Sequence, residues 1–275
     1  MNKKLNHKVL NYYEKSPEGS RLESSMGQLE FERSKEIIAR YISPPPARVL
    51  DVGGGTGLYS RWLTQLGYET HLIDPVENLV EEAKKISTQE PHRRIASFTV
   101  GDARKIDFDD GFANSVLLFG SLYHLTDKSD RMQALHEAVR VLKTGGILFS
   151  VGIYRIASAL DGVRYGFLKD TDFEPIIEQD LETGQHRNPT EDLSYFTDAY
   201  FHLPSELEEE IAEAGFEILA ILPVEGVGAF TSNLDDIWNC AEGKKSLLDI
   251  IRRTEWIPSI LGATSHFICV AKKAM

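Results

Sequence analysis

Cysteine is scarce in this 275-residue chain: the two present, Cys240 and Cys269, stand at no spacing that suits a metal. That scarcity argues against a thiolate metal site or a disulfide framework and suits the reducing cytoplasm. Long apolar runs are missing as well, none approaching the roughly eighteen residues of a membrane span. The opening MNKKLNHKVLNYYEK has no apolar core of the signal-peptide kind. Basic residues are in deficit, 30 Lys and Arg against 42 Asp and Glu, for a formal net charge of −12. A surface of that sign repels a phosphate backbone and disfavours nucleic acid as a partner, although Arg252 and Arg253 adjoin. Repeats and low-complexity tracts are absent. What is there, 42% hydrophobic residues, is enough to build one sizeable α/β domain with insertions.

The chain is organised around RVLDVGGGTG, Arg48 to Gly57. Val49, Leu50 and Val52 suit a buried parallel strand. Gly53, Gly55 and Gly57 then alternate, and LYSRWLTQLG begins a helix with Leu58, Trp62, Leu63 and Leu66 on one face and Gly67 as its cap. A glycine turn between strand and helix lets a ligand approach bare backbone. A dinucleotide site wants G-x-G-x-x-G, whereas position 58 is Leu and the pattern is G-x-G-x-G. Asp51, two residues before the first glycine, is a poor neighbour for pyrophosphate and a good one for a zwitterion carrying an ammonium group. ETHLID gives a second strand ending at Asp74, where an acid can accept from both ribose hydroxyls or cap the helix opened by Pro75.

The strand-ending acid, the G-x-G-x-G loop and the later acid resemble motif I and its companions in the class I S-adenosylmethionine-dependent methyltransferases. The resemblance covers about 47–153 and, more loosely, the last two strands. It implies S-adenosyl-L-methionine as cofactor. Asp51, Gly53, Gly55 and Gly57 would then serve its amino-acid end, Asp74 the ribose, and Asp102 with Ala103, in GDA, the adenine. Gly120, ending the fourth strand, joins this set. N-terminal helices form lids in many similar enzymes, which would bring Tyr13 and Arg21 to the methionine carboxylate or the acceptor.

Strands are expected at 95–102, 115–120 and 147–153, with a helix from Asp130 to Leu142 burying Met132, Leu135, Val139 and Leu142, and a turn at KTGG, 143–146. Repeated strand–turn–helix units imply right-handed crossovers. The expected fold is therefore α/β: a doubly wound, mostly parallel, seven-stranded Rossmann-like sheet, with FEILAILPV and HFICVAKK as the last two strands. The expected divisions are an N-terminal helical lid (1–43), a cofactor-binding core (44–153), a cap holding the substrate (154–203) and the remainder of the core (204–275) with a helical insertion at 232–262.

Methyl transfer from a sulfonium needs alignment and exclusion of water more than a base. His124, in SLYHL just past the fourth strand, is the candidate base or substrate contact, and Tyr123 could pack on the substrate or the sulfonium. Arg155, Tyr200 and His202 are candidate acceptor contacts from the cap, with Arg164 and His186 behind them. The Asn/Asp-Pro-Pro-Tyr motif of enzymes that methylate exocyclic base nitrogens or glutamine amides is absent. No motif requires a metal. The expected activity is methyl transfer to N, O or C of a small metabolite in the cytoplasm. A methyltransferase of protein or RNA, and a binding protein without catalysis, are the alternatives.

Overall fold

A computed structural model describes residues 6–15, 24–89 and 94–274. Its centre is a seven-stranded sheet in the order β3-β2-β1-β4-β5-β9-β8. The strands are β1 (Arg48–Val52), β2 (Glu69–Asp74), β3 (Ser97–Val100), β4 (Ala113–Leu118), β5 (Leu142–Ile153), β8 (Phe216–Pro223) and β9 (His266–Lys273). The first five run parallel; β9 is antiparallel to both β5 and β8. Strands β1, β2 and β4 are almost wholly buried because helices cover both faces of the sheet. The chain order reverses between β1 and β4, so a crevice opens beyond their carboxyl ends.

Two expectations shift locally. KTGG does not separate a helix from a strand; β5 begins at Leu142 and bulges, its register against β4 jumping from Leu142 to Ile147. Leu66 is exposed, because helix α3 (Leu58–Gln65) buries Ser60 and Leu63 instead, with Gly67 beyond its end at φ 92°. Helix α4 (Glu77–Gln89) buries Leu79, Val80 and Ala83 as its period requires. Helix α5 (Lys128–Val141) buries Ala134, Leu135, Ala138 and Val141, with Met132 and Val139 at the margin.

The N-terminal segment holds α1 (His7–Lys15) and α2 (Ser25–Tyr41). Ser24 caps α2 by accepting from the Gly27 amide, and Leu29, Ile37 and Ile38 are fully buried beneath it. Residues 154–203 are more regular than their sequence suggests: α6 (Ala157–Tyr165), α7 (Glu174–Thr183) and a two-stranded ribbon of β6 (Gln185–His186) with β7 (Ala199–Tyr200). Helix α8 (Pro204–Glu213) returns the chain to the sheet. The insertion after β8 forms α9 (Leu234–Trp238), α10 (Ala241–Thr254) and α11 (Pro258–Leu261). Trp238 and Ile251 of the insertion pack on Leu29 of α2. The fully buried Arg33 of α2 donates to Glu255, at 2.5 Å, and to Glu36; Arg40 reaches the same Glu255 carboxylate at 2.5 Å.

Candidate functional site

A cavity of about 360 Å³ lies at the carboxyl edge of the sheet, between the glycine turn, α1 and the segment after β5. Such a volume suits a small ligand and is at the lower end of common binding sites. The turn is shaped for close approach. Gly53 has φ 83°, and a Cβ there would strike Ser121 Oγ at 2.6 Å; a Cβ on Gly55, at φ 53°, would meet nothing within 4 Å. Gly53 packs against the fourth strand's exit, whereas Gly55 leaves bare backbone toward the cavity. Gly57 does not line it; its missing side chain lets α3 pack on Leu72 and Ile95.

The glycine amides of this turn are already engaged. Gly53 and Gly54 donate to Ile73 O, Gly57 donates to Gly54 O, and Gly55 donates to Asp74 Oδ2 at 2.9 Å. A phosphate cradle needs such N–H groups turned outward. Here the turn offers space and carbonyl oxygens, which suits an ammonium group better than a pyrophosphate. Asp74, 5% exposed, also accepts from the Val76 amide at 2.8 Å through Oδ1, which fixes its carboxylate at the cavity wall.

Asp51 sits behind the turn. Its carboxylate is fully buried and does not line the cavity; Oδ2 accepts from Ser60 Oγ at 2.6 Å, and Oδ1 has no partner among the described residues. Burial pushes its pKa up to about 6. Asp102 and Ala103 do line the cavity. The Asp102 carboxylate is clasped by Arg104, whose Nη2 donates at 2.6 Å and whose Nε and amide donate at 2.9 Å; Arg104 also reaches Asp130. Nothing in the GDA motif announces that clasp.

His124 and Tyr13 meet in the wall between the two ends of the cavity. Tyr13 Oη lies 2.8 Å from His124 Nε2, while His124 Nδ1 faces the Asp198 carbonyl at 3.3 Å. The carbonyl can only accept, so Nδ1 carries the proton and Nε2 takes the phenolic hydrogen. His124 is 8% exposed, and burial pushes its pKa down to about 4. Tyr123 and Gly120 line the cavity beside it.

Three candidate acceptor contacts lie elsewhere. Arg155 donates to both Glu206 oxygens, at 2.7 and 2.8 Å, and to Tyr200 Oη at 3.2 Å. His202 is fully buried against Glu210, and the Tyr200 ring carries the Arg131 guanidinium at 3.9 Å. None of the three lines the cavity beside the glycine turn. Alternation along an extended segment explains this: Ala199 and Phe201 pack beside the cavity with Ile153 and Ala157, so Tyr200 and His202 point away. Arg164 donates to the Ala229 carbonyl. His186 does reach the cavity, held by Asp180 at 2.9 Å and by the Tyr195 carbonyl at 2.8 Å. Arg21 lies outside the described residues. The remaining wall, including Phe119, Asp161, Phe173, Phe196 and His266, carries no motif that sequence reading could use.

Residues 50–150 match the family model described as a methyltransferase domain. This part of the chain is a methyltransferase domain. S-adenosylmethionine is the cofactor of such domains, and the closed-off amides, the bare Gly55 and the anchored Asp74 fit it. Among curated proteins, the chain is similar to the ubiquinone/menaquinone biosynthesis C-methyltransferase UbiE of Ruegeria sp., 32% identical over 117 residues, 42% of this chain and 46% of that one. UbiE of Neisseria meningitidis is 31% identical over 144 residues, covering 50% and 57%. The putative methyltransferase YqeM of Bacillus subtilis is 36% identical over 107 residues, covering 38% and 42%. The chain spans about half the length of the curated relatives it matches. Solved structures extend the likeness of fold to nearly the whole chain. A SAM-dependent methyltransferase from Methanosarcina mazei aligns with a TM-score of 0.58 at 20% identity over 87% of this chain and 97% of that one. The [4+2]-cyclase SpnF aligns at 0.55 and 19% over 88% and 81%. At these identities the domain's likeness to both is one of fold.

Proposed function

We propose that this chain transfers the methyl group of S-adenosylmethionine to a small acceptor held between α1 and the cap. The observation that carries this reading is one continuous cavity. It runs from the glycine turn and Asp74 to an aromatic end lined by Phe167, Phe173 and Phe196, with Tyr13 and His124 in its wall. A concave cavity lined by aromatic rings suits a metabolite; a protein or RNA substrate wants an open charged groove.

When bound, the cofactor supplies an activated methyl group on a sulfonium with an excellent leaving group. The Gly53–Gly55 turn and Asp74 would hold its amino-acid and ribose parts, with Asp102 and Ala103 beside the adenine. Asp51 supports the turn from behind. The chain's contribution to rate is then mostly alignment and exclusion of water, worth up to roughly 7–11 kcal/mol in well-oriented reactions. His124 is too weak a base at neutral pH for efficient proton abstraction, since effective bases titrate near the working pH. It acts instead as the acceptor that fixes the Tyr13 hydroxyl toward the acceptor molecule.

We place the enzyme in the cytoplasm: Cys240 and Cys269 are free thiols. Among the described residues, no helix is long and apolar enough to cross a membrane.

The test uses methyl-labelled S-adenosylmethionine, purified protein and a desalted extract separated by size. Label in the small-molecule fraction, lost in Asp74→Ala, is the expected result. Label confined to protein or RNA would overturn the reading.

A further inference from the structure

Asp161 is a carboxylate in the cavity wall with no hydrogen bond or ion pair among the described residues. It follows Ala157 and Ser158 on the cavity face of α6, at the i, i+1, i+4 spacing that shares one helix side. Asp180 accepts from Ser158 Oγ at 2.5 Å and so fixes this turn of the helix.

The charges around Asp161 do not neutralise it by contact. Arg164, His266, Glu225 and His186 all act on it through space. Arg164 is committed to the Ala229 carbonyl. His266 Nδ1 lies 2.6 Å from Glu225 Oε1, so any positive charge there already faces a carboxylate. Glu30, reaching in from α2, adds another: its oxygen, that of Glu225 and the His266 nitrogen lie within 4.8 Å of one another. Arg164, His266 and His186 are each held by another group, and none pairs with Asp161 among the described residues.

Two further features point to a ligand. Ser265, next to His266 in the cavity wall, is 8% exposed, and its hydroxyl has no partner among the described residues. Aromatic rings complete the chamber: Phe167, Phe173 and Tyr195 pack against one another, and a Cβ on Gly162, the neighbour of Asp161, would lie 3.4 Å from Phe173. Carboxylate and π faces together attract a cation. Burial also raises the pKa of Asp161, the penalty that an enclosed charge incurs until a counter-ion arrives.

We propose that the cap end of the cavity binds a positively charged nitrogen of the methyl acceptor, with Asp161 as its counter-ion and the aromatic rings around it. The proposal rests on the methyl-transfer reading above, and it selects amine-bearing acceptors over anionic or neutral ones.

The test is calorimetry on the full chain, dialysed against chelator and saturated with S-adenosylhomocysteine. The probes are 2-phenylethylamine and its neutral counterpart 2-phenylethanol. The amine should bind at least tenfold tighter. Asp161→Asn should abolish that preference and Asp161→Glu should retain most of it, both with unchanged S-adenosylhomocysteine affinity and melting temperature. Equal binding of the two probes, binding of neither, or a preference that survives Asp161→Asn would overturn the proposal. Loss of S-adenosylhomocysteine binding by the unaltered chain would strike the methyl-transfer reading instead.

Discussion

Tyr13 and His124 stand 111 positions apart in the chain, yet the phenol of one donates to the imidazole of the other at 2.8 Å in the cavity wall. If the two act as one unit, Tyr13→Phe and His124→Gln should each lower kcat/KM by roughly tenfold, about 1.4 kcal/mol. The double variant should be little worse than either single one. S-adenosylhomocysteine affinity should hold in all three. Multiplying losses in the double variant would show two independent roles.

The pH dependence of stability has two opposed parts. His124 is lowered from 6.5 to about 4 in the folded chain. Between those values the unfolded chain binds a proton that the folded one does not, so stability falls as pH drops through this window, by up to about 3 kcal/mol. Asp51 is raised from 3.8 to about 6, so its contribution is present below the unfolded value and lost as pH rises through 6. Because the two parts nearly cancel, urea midpoints should rise from pH 7 to 4 in His124→Asn and fall in Asp51→Asn, each relative to the unaltered chain. Identical profiles for both variants would refute the assignment.

The turn glycines should separate by phenotype. Gly55→Ala projects into open space, so its cost is backbone strain of roughly 1–3 kcal/mol and a loss of S-adenosylhomocysteine affinity of about tenfold or more. Gly53→Ala meets Ser121 and should lower the melting temperature further. The reverse order in both measurements would mean that Gly55 does not face the ligand.

Glu255 joins α10 to α2 by accepting from both Arg33 and Arg40. Glu255→Ala leaves the buried Arg33 guanidinium with Glu36 as its remaining carboxylate partner. The expected loss is about 3 kcal/mol in urea unfolding, the scale of a broken buried pair. A loss below 1 kcal/mol would show that the clamp contributes little to stability.

The core was legible because its signals are local. Val49, Leu50 and Val52 form an apolar run, Gly53 and Gly55 need left-handed backbone, and Leu79, Val80 and Ala83 keep a helical period. Placing Asp74 at a strand end required only the ETHLID run and the proline after it. The cap was not legible in the same way. Tyr200 and His202 have the chemistry of binding residues, but the phase of an extended segment decides which alternate residues face a cavity, and that phase is set by distant pairing. Arg155 and Glu206 find each other across a fold that neither residue encodes. Asp161 gave no signal: one acid in DGVRYG becomes distinctive only when α6 turns it inward, away from any partner among the described residues.

The segment that carries Phe201 has one more consequence. Tyr200 N donates to Tyr123 O, His202 N to Ile153 O and Arg155 N to His202 O, so this side of the cavity is sewn by backbone bonds to the ends of the central strands. Helix α1 forms the facing side and meets this one through side chains, with Asn6, just before the helix, on Asp198 and Tyr13 on His124. The two sides therefore differ in how readily they part. Traffic into and out of the chamber should pass on the α1 side, and the bond that orients the Tyr13 hydroxyl would be remade at each turnover.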